Sequence, residues 1–173
     1  MLNASYRFLY LKLLVYRPIL SQSLRETLSS AAAEGQTHYS ERFDTGIYDN
    51  FIMSCSVLCV QSAIDLISLV HETCSTDLAS VWFYNVFCKR HGTTNCPHEA
   101  DIIIDVFTAG SITLLAEFHP PIVNILSRET LKLAWDKCQT SLEYLKSYSV
   151  VAERCASSMH AIRSKCLTAL SGE

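Results

Sequence analysis

Helical periodicity over most of the chain is the feature that most restricts its fold. Between Phe51 and Val70, apolar residues recur at three- and four-residue steps, the spacing of one helix face. Helices are predicted over 2–28, 47–74, 78–87, 127–147 and 150–170, and a further apolar segment covers 102–118. Sustained strand alternation and internal repeats are missing from the sequence. We therefore predict an all-α protein, an irregular multi-helix bundle.

Proline and polar segments interrupt this pattern. Pro18 is expected to kink or restart the first helix, because its ring blocks the bond to the preceding turn. The segment 29–50, rich in Ser, Thr, Asp and Gly, is predicted to be a polar loop. A second break is expected at Pro120 and Pro121.

The composition is unusually apolar for a soluble protein. Apolar residues make up 49% of the chain and charged residues only 18%, whereas about 25% charged residues is usual. Such a chain either has a large core for its size or lacks neighbouring segments that would cover its apolar faces. We favour the second interpretation, in which the chain is an incomplete part of a larger helical domain.

The net charge and the placement of the cysteines limit the classes of protein to which this chain could belong. A net charge of −3 gives no basic footprint for phosphate backbones, so no direct nucleic-acid binding is predicted. The eight cysteines lie mostly within apolar helical patterns, without a secretory signal before them, which predicts reduced thiols. Because Arg7, Lys12 and Arg17 interrupt the first apolar helix, we predict no membrane span and no membrane partner.

Motifs of known enzyme classes are incomplete. Five dispersed glycines cannot form a phosphate-binding loop or a dinucleotide fingerprint. His71 begins a zinc-protease motif, but Ser75 stands where the second histidine is required. Gly110 is followed by serine without the second glycine of a nucleophile elbow, and is interpreted as a close-packing point in a helix.

Two carboxylates, Asp101 and Asp105, lie one helical turn apart. They resemble an acid/base pair, but the sequence gives them no partnered cleft, so we interpret them as a solvated turn. We predict no catalytic residues, no enzymatic activity and no cofactor bound by this chain.

Four zinc-capable side chains occur close together in the sequence. They are Cys88, His91, Cys96 and His98. Their spacing, Cys-x2-His-x4-Cys-x-His, matches no common structural zinc site, and ligands separated by one residue strain a tetrahedral shell. A fortuitous loop is the favoured interpretation, and a small zinc-dependent interaction module is the alternative.

Four blocks of residues follow one another along the chain. The first is Tyr6-x2-Leu9-x-Leu11-x2-Leu14-x-Tyr16-Arg17-Pro18-Ile19-Leu20, and the second is Cys59-x3-Ala63-Ile64-x-Leu66-Ile67. The third is Trp82-Phe83-Tyr84-Asn85-Val86-Phe87 with Phe107-Thr108-Ala109-Gly110, and the last is Trp135-x2-Cys138-x3-Leu142-x2-Leu145 with Ala152-x-Arg154-Cys155. In this order they resemble the fungal-specific transcription factor domain, the helical regulatory region downstream of the zinc binuclear cluster.

The resemblance implies that residues 1–173 are the C-terminal part of one such domain. It implies a nuclear regulator of RNA polymerase II transcription that works through protein partners, a homodimer among them, or through an effector. The family binds zinc through an upstream six-cysteine cluster, and no Cys-x2-Cys-x6-Cys run occurs in this sequence. The alternative is a membrane-associated helical protein, which Arg7, Lys12 and Arg17 would suit among Tyr6, Tyr10, Tyr16 and the other apolar residues of the first helix.

A polar insert, 88–105, departs from the family pattern. In the family, the Trp-Phe helix continues directly into the Phe-Thr-Ala-Gly segment. The codons for Cys88 and Lys89 can contain a splice donor, and those for Ile104 and Asp105 an acceptor. Removing that interval would join the flanking segments through one tyrosine. We interpret the insert as a retained intron and expect it to loop out of the helix that it splits.

Overall fold

The computed structural model describes residues 2–32, 45–76, 99–147 and 149–171. Across these ranges the chain is helical and contains no strand, which confirms the all-α prediction. The described helices are α1 (Leu2–Ala32), α2 (Thr45–Cys74), α3 (Glu99–Glu117), α4 (Pro120–Leu126), α5 (Arg128–Lys146) and α6 (Val150–Ser171). The third predicted helix, 78–87, lies outside the described residues.

Helix α2 lies at the centre of the arrangement. It packs against α1 on one side and against α3, α4 and α5 on others. Cys59, Val60, Leu66 and Ile67 are fully buried on α2, and each large aliphatic side chain contributes about 1.5–3 kcal/mol when buried. The apolar periodicity that predicted this helix therefore reflects contact with several neighbours.

Helices α3, α5 and α6 pack against one another, and Gly110 sits where they come closest. A Cβ atom at Gly110 would lie 2.5 Å from Cε of Met159 on α6 and 2.6 Å from Sγ of Cys138 on α5. Since real Cβ atoms essentially never approach so closely, a side chain at this position would force Met159 and Cys138 to move. The prediction of a close-packing point at Gly110 is confirmed.

The break predicted at the two prolines is also confirmed. Helix α3 ends at Glu117, and α4 leaves it at an angle of 104°. Proline suits the first turn of α4, where a backbone N–H has no helical partner. Ser127 then joins α4 to α5 with a positive φ of 64°, and its hydroxyl caps α5 by accepting a hydrogen bond from the Thr130 N–H at 3.2 Å.

The predicted polar loop over 29–50 is wrong at both ends. Residues 29–32 belong to α1 and residues 45–50 to α2, while 33–44 lie outside the described residues. Residues 46–50 at the start of α2 are all exposed, Ile47 among them, and an exposed turn without a buried side cannot be distinguished from a loop by periodicity. Helix α1 also continues through Pro18. Pro18 is exposed, so water can hydrogen-bond the Leu14 carbonyl that loses its donor.

The expectation that 88–105 loops out is wrong for its second part. Helix α3 begins at Glu99, and Ile102 and Ile103 are buried in the core together with Val106. Their side chains extend the apolar face of α3 by a further turn, so burying them in a helix is favourable. Residues 88–98 lie outside the described part of the chain.

Candidate functional site

The zinc prediction falls on residues that the structure does not describe: Cys88, His91, Cys96 and His98. Among the described residues, no group of three or more His, Cys, Asp or Glu side chains is placed to hold a metal ion. The described residues offer three other kinds of candidate site, which are buried polar contacts, thiols and exposed apolar surfaces.

A buried hydrogen bond joins α1 to α3. The Tyr6 hydroxyl donates a hydrogen bond to Oδ2 of Asp105, and both side chains are buried. A carboxyl group inside a core is costly without such a donor. The prediction of a solvated turn is therefore wrong at Asp105, because a tyrosine distant in sequence supplies its hydrogen bond. This hydrogen bond lies inside the packed core, where its role is structural.

A second polar cluster surrounds His119, at the break between α3 and α4. Its Nε2 lies 3.0 Å from the Thr27 hydroxyl and 3.5 Å from the Ser23 hydroxyl, both on α1. The Thr27 hydroxyl donates its hydrogen to the Ser23 carbonyl at 2.9 Å, so the geometry favours the tautomer in which Nε2 carries the proton and donates. Burial lowers the pKa of His119 from its ordinary value of 6.5. A neutral histidine therefore links α1 to the break.

A third cluster joins α3, α5 and α6 near the protein surface. The Arg163 guanidinium donates to Oε1 of Glu117 at 2.8 Å and stacks 4.6 Å from the ring centre of Trp135. The His160 ring meets Trp135 edge-on at 5.8 Å. Ion pairing and cation–π contact hold the same guanidinium, so the cluster is built to fix α6 in place.

The six described cysteines are not joined by disulfide bonds: Cys55, Cys59, Cys74, Cys138, Cys155 and Cys166. Burial raises the pKa of Cys59 to about 12, and the nearby Arg17 offsets this only in part. Burial also raises the pKa of Cys138 to about 12, with a further contribution from Cys155. Thiols with such pKa values are poor nucleophiles near neutral pH, so these residues pack rather than react.

The exposed surface of α1 is the strongest candidate for a functional site. Tyr6, Leu13 and Leu20 face inward at seven-residue intervals. On the opposite side Phe8, Leu11 and Val15 have exposed fractions of 61%, 59% and 65%. These three residues follow i, i+3, i+7 spacing and form one continuous row, which we call the outer stripe. Such a row of large apolar side chains in water marks a surface for another molecule.

A groove continues this surface towards the C-terminal half of α1. It has a volume of about 670 Å³ and is lined by Leu14, Arg17, Pro18, Ser21, Gln22 and Arg25. The Gln22 amide at its edge donates to the hydroxyl of Tyr48 on α2 at 3.0 Å. Apolar side chains and guanidinium groups therefore lie side by side in one concave surface, which suits a ligand that is partly apolar and partly anionic.

The sequence patterns gave no indication of the outer stripe as a separate face. The apolar residues of α1 extend most of the way round the helix, and the membrane interpretation grouped Tyr6, Tyr10 and Tyr16 with the cations. In the structure Tyr6 is buried and the other two tyrosines are half-buried. A seven-residue repeat through Tyr6, Leu13 and Leu20 was the signal that could have separated the inner face from the outer one.

Within the described residues, one continuous helix is long and apolar enough to cross a membrane, the Gly46–Cys74 part of α2. A bent pair, Ile102–Glu117 with Pro120–Leu126, passes the same test as one broken span. Of the apolar window in α2, 56% is already buried inside the protein. Central core helices have this composition, and the position of α2 among α1, α3 and α5 accounts for it.

Comparison with known proteins gives no relative for this chain. It matches no family model, no curated protein and no solved structure.

Proposed function

We propose that this chain is a helical regulatory module of a transcription regulator, which acts through protein contacts and not through catalysis. The observation that carries the proposal is that residues of the four sequence blocks meet in one core. Buried members of the blocks are Tyr6, Leu20, Cys59, Ala63, Ile64, Leu66, Ile67, Ala109, Gly110, Trp135, Cys138, Leu142, Leu145 and Ala152. Trp82 to Phe87, within the third block, lies outside the described residues.

The contacts between blocks support this proposal more strongly than burial alone. Cys59 of the second block donates to the Leu13 carbonyl on the helix of the first block, at 3.8 Å. Cys138 of the last block donates to the Val106 carbonyl, immediately before the Phe-Thr-Ala-Gly part of the third, at 3.7 Å. Gly110 packs against the same cysteine. Helices that carry the four blocks therefore contact one another within one core, which is consistent with the proposal.

The role expected of such a module is to bind protein partners, a second copy of the chain among them, in the nucleus. It would modulate RNA polymerase II transcription when a DNA-binding module brings it to a promoter. The net charge of −3 does not favour direct nucleic-acid binding by the chain itself.

A tethering experiment tests this function. The chain is fused to a heterologous DNA-binding domain in a fungal host cell, and an RNA polymerase II reporter is measured against the DNA-binding domain alone. We expect the fusion to raise or lower reporter output reproducibly. Equal output from the two proteins, with the fusion shown to be folded, nuclear and promoter-bound, would contradict the proposal.

A further inference from the structure

The outer stripe lies in the most basic segment of the chain. Over its whole length α1 contains four cations and one acidic residue, Glu26, although the whole chain has a net charge of −3. The cations are Arg7, Lys12, Arg17 and Arg25. Arg7 precedes Phe8 and Lys12 follows Leu11, so at 100° per residue they fall on opposite flanks of the stripe. The Lys12 ammonium lies 5.3 Å from the centre of the Phe8 ring.

This combination restricts what can cover the stripe. The occupant must accept large apolar side chains and must also carry negative charge on both sides of them. A second copy of α1 would bring cations against cations, which is unfavourable. A nucleic-acid backbone would match the charge but would place its phosphates against Phe8, Leu11 and Val15. The interface of an anionic lipid bilayer provides both an apolar layer and a negative surface.

We propose that the outer stripe docks on the surface of an anionic phospholipid bilayer, with α1 lying in the plane of the interface. Phe8, Leu11 and Val15 enter the boundary between headgroups and acyl chains, and the flanking cations remain among the headgroups. Because α1 packs on α2 through its opposite face, docking requires no unfolding of the core.

The groove beside the stripe extends the same contact. From Phe8 to Arg25 the helix covers about 26 Å at about 1.5 Å per residue, so stripe and groove form one long surface. Arg17 and Arg25 lie in the groove with Ser21 and Gln22 between them. Guanidinium groups bind phosphate oxygens in a forked geometry. The Ser21 hydroxyl and the Gln22 amide already donate their hydrogens within the protein, so the headgroup contact is assigned to the guanidinium groups.

The apolar contribution is tested by sedimentation of the full chain with vesicles. One set is phosphatidylcholine, and the other contains about 30% phosphatidylserine. We expect binding to the anionic vesicles only. Phe8→Gln with Val15→Gln should weaken it roughly tenfold or more, because two large apolar side chains no longer enter the bilayer. The control is Ile125→Gln with Leu133→Gln, at two residues on α4 and α5 that are each 57% exposed, and it should bind as the wild type does.

The electrostatic contribution is tested with a second pair of variants. Arg7→Gln with Lys12→Gln, at the two cations that flank the stripe, should weaken binding roughly thirtyfold, since each cation near an anionic surface contributes independently. Arg128→Gln with Arg154→Gln removes the same charge from exposed positions elsewhere and should have a much smaller effect. Raising the salt concentration to about 0.5 M should weaken wild-type binding.

Three results would overturn the proposal. The first is a wild-type chain, helical by circular dichroism, that does not sediment with anionic vesicles. The second is equal binding by the stripe variant and its control. The third is a dimer in sedimentation velocity that Phe8→Gln with Val15→Gln dissociates, which would assign the stripe to a second copy. Lipid binding is measured without any promoter, so its failure would leave the transcription proposal standing.

Discussion

The Tyr6 hydroxyl donates a hydrogen bond to Oδ2 of Asp105, across 99 positions of sequence and inside the core. Helix α1 otherwise packs almost entirely on α2, so this bond is a direct link from α1 to α3. This link between α1 and α3 therefore joins one phenol and one carboxyl group that share no local sequence pattern.

Replacing the Tyr6 phenol tests how much this hydrogen bond contributes to the stability of the fold. Tyr6→Phe keeps the ring in the core but leaves the carboxyl group without this donor, so we expect a loss of about 1–3 kcal/mol in the free energy of unfolding. Tyr48→Phe removes an exposed hydrogen bond to Gln22 and should cost about 0.5 kcal/mol or less. Urea denaturation measures both. Equal losses of unfolding free energy in the two variants would show that the buried hydrogen bond contributes no more to stability than the exposed one.

The two described glycines form a matched pair for testing the packing of α3. A Cβ atom at Gly110 collides with Met159 and Cys138, whereas a Cβ atom at Gly46 meets nothing within 4 Å. Alanine is the better helix former by about 1 kcal/mol, but overpacking costs about 1–3 kcal/mol. We expect Gly110→Ala to lower the melting temperature and Gly46→Ala to keep or raise it. Similar melting temperatures for both variants would contradict the close approach at Gly110.

Histidine 119 should make stability depend on pH. Burial holds its folded-state pKa below its ordinary value of 6.5. Above that value His119 is neutral in both states and contributes no pH dependence. As the pH falls below it, the unfolded chain binds a proton that the folded protein excludes, so the free energy of unfolding decreases until the folded-state pKa is passed.

The measurement is the urea midpoint of the wild type and of His119→Gln between about pH 7.5 and pH 5. We expect the wild type to lose stability faster than the variant over the acidic part of this range. His160→Gln, at an exposed histidine on α6, is the control. If the urea midpoints of the three proteins change in parallel with pH, protonation of His119 does not account for the loss of stability in acid.

The retained-intron hypothesis and the structure lead to opposite predictions for a variant from which residues 88–105 are deleted. Replacing residues 88–105 by a single tyrosine would join the flanking segments as in the domain that the four blocks resemble, and the intron hypothesis expects a more stable protein. In the structure the same deletion removes Ile102, Ile103 and the carboxyl partner of Tyr6 from the core. Losing two buried isoleucines costs about 2–5 kcal/mol each, so we expect the deletion variant to unfold at lower urea. Unfolding at higher urea would instead support the retained intron.

Local patterns predicted those parts of the fold that depend on local rules. The helix over α2, the break before Pro120, the start of α5 near Ser127 and the close packing at Gly110 follow from periodicity, proline geometry, capping chemistry and the missing side chain. Each of these rules acts within a few residues of the position concerned.

Features that depend on a distant partner were not predictable. Asp105 was expected in a solvated turn because nothing near it in sequence provides a donor, yet Tyr6 lies beside it in the core. The His119 cluster is a similar case, because its hydroxyl partners stand on α1, more than 90 positions earlier. The observed start of α2 lies two residues before the predicted helix 47–74, because an exposed first turn carries no periodic signal.

The most direct test of the central claim is the tethered reporter, measured with the matched glycine pair. Gly110→Leu should destroy the packing of α3 against α5 and α6, whereas Gly46→Leu should leave the fold intact. We expect the wild type and Gly46→Leu to change reporter output to the same extent, and Gly110→Leu to give the output of the DNA-binding domain alone. Identical output from all three fusions and from the DNA-binding domain alone, with the wild-type fusion folded and nuclear, would contradict a regulatory role for this helical fold.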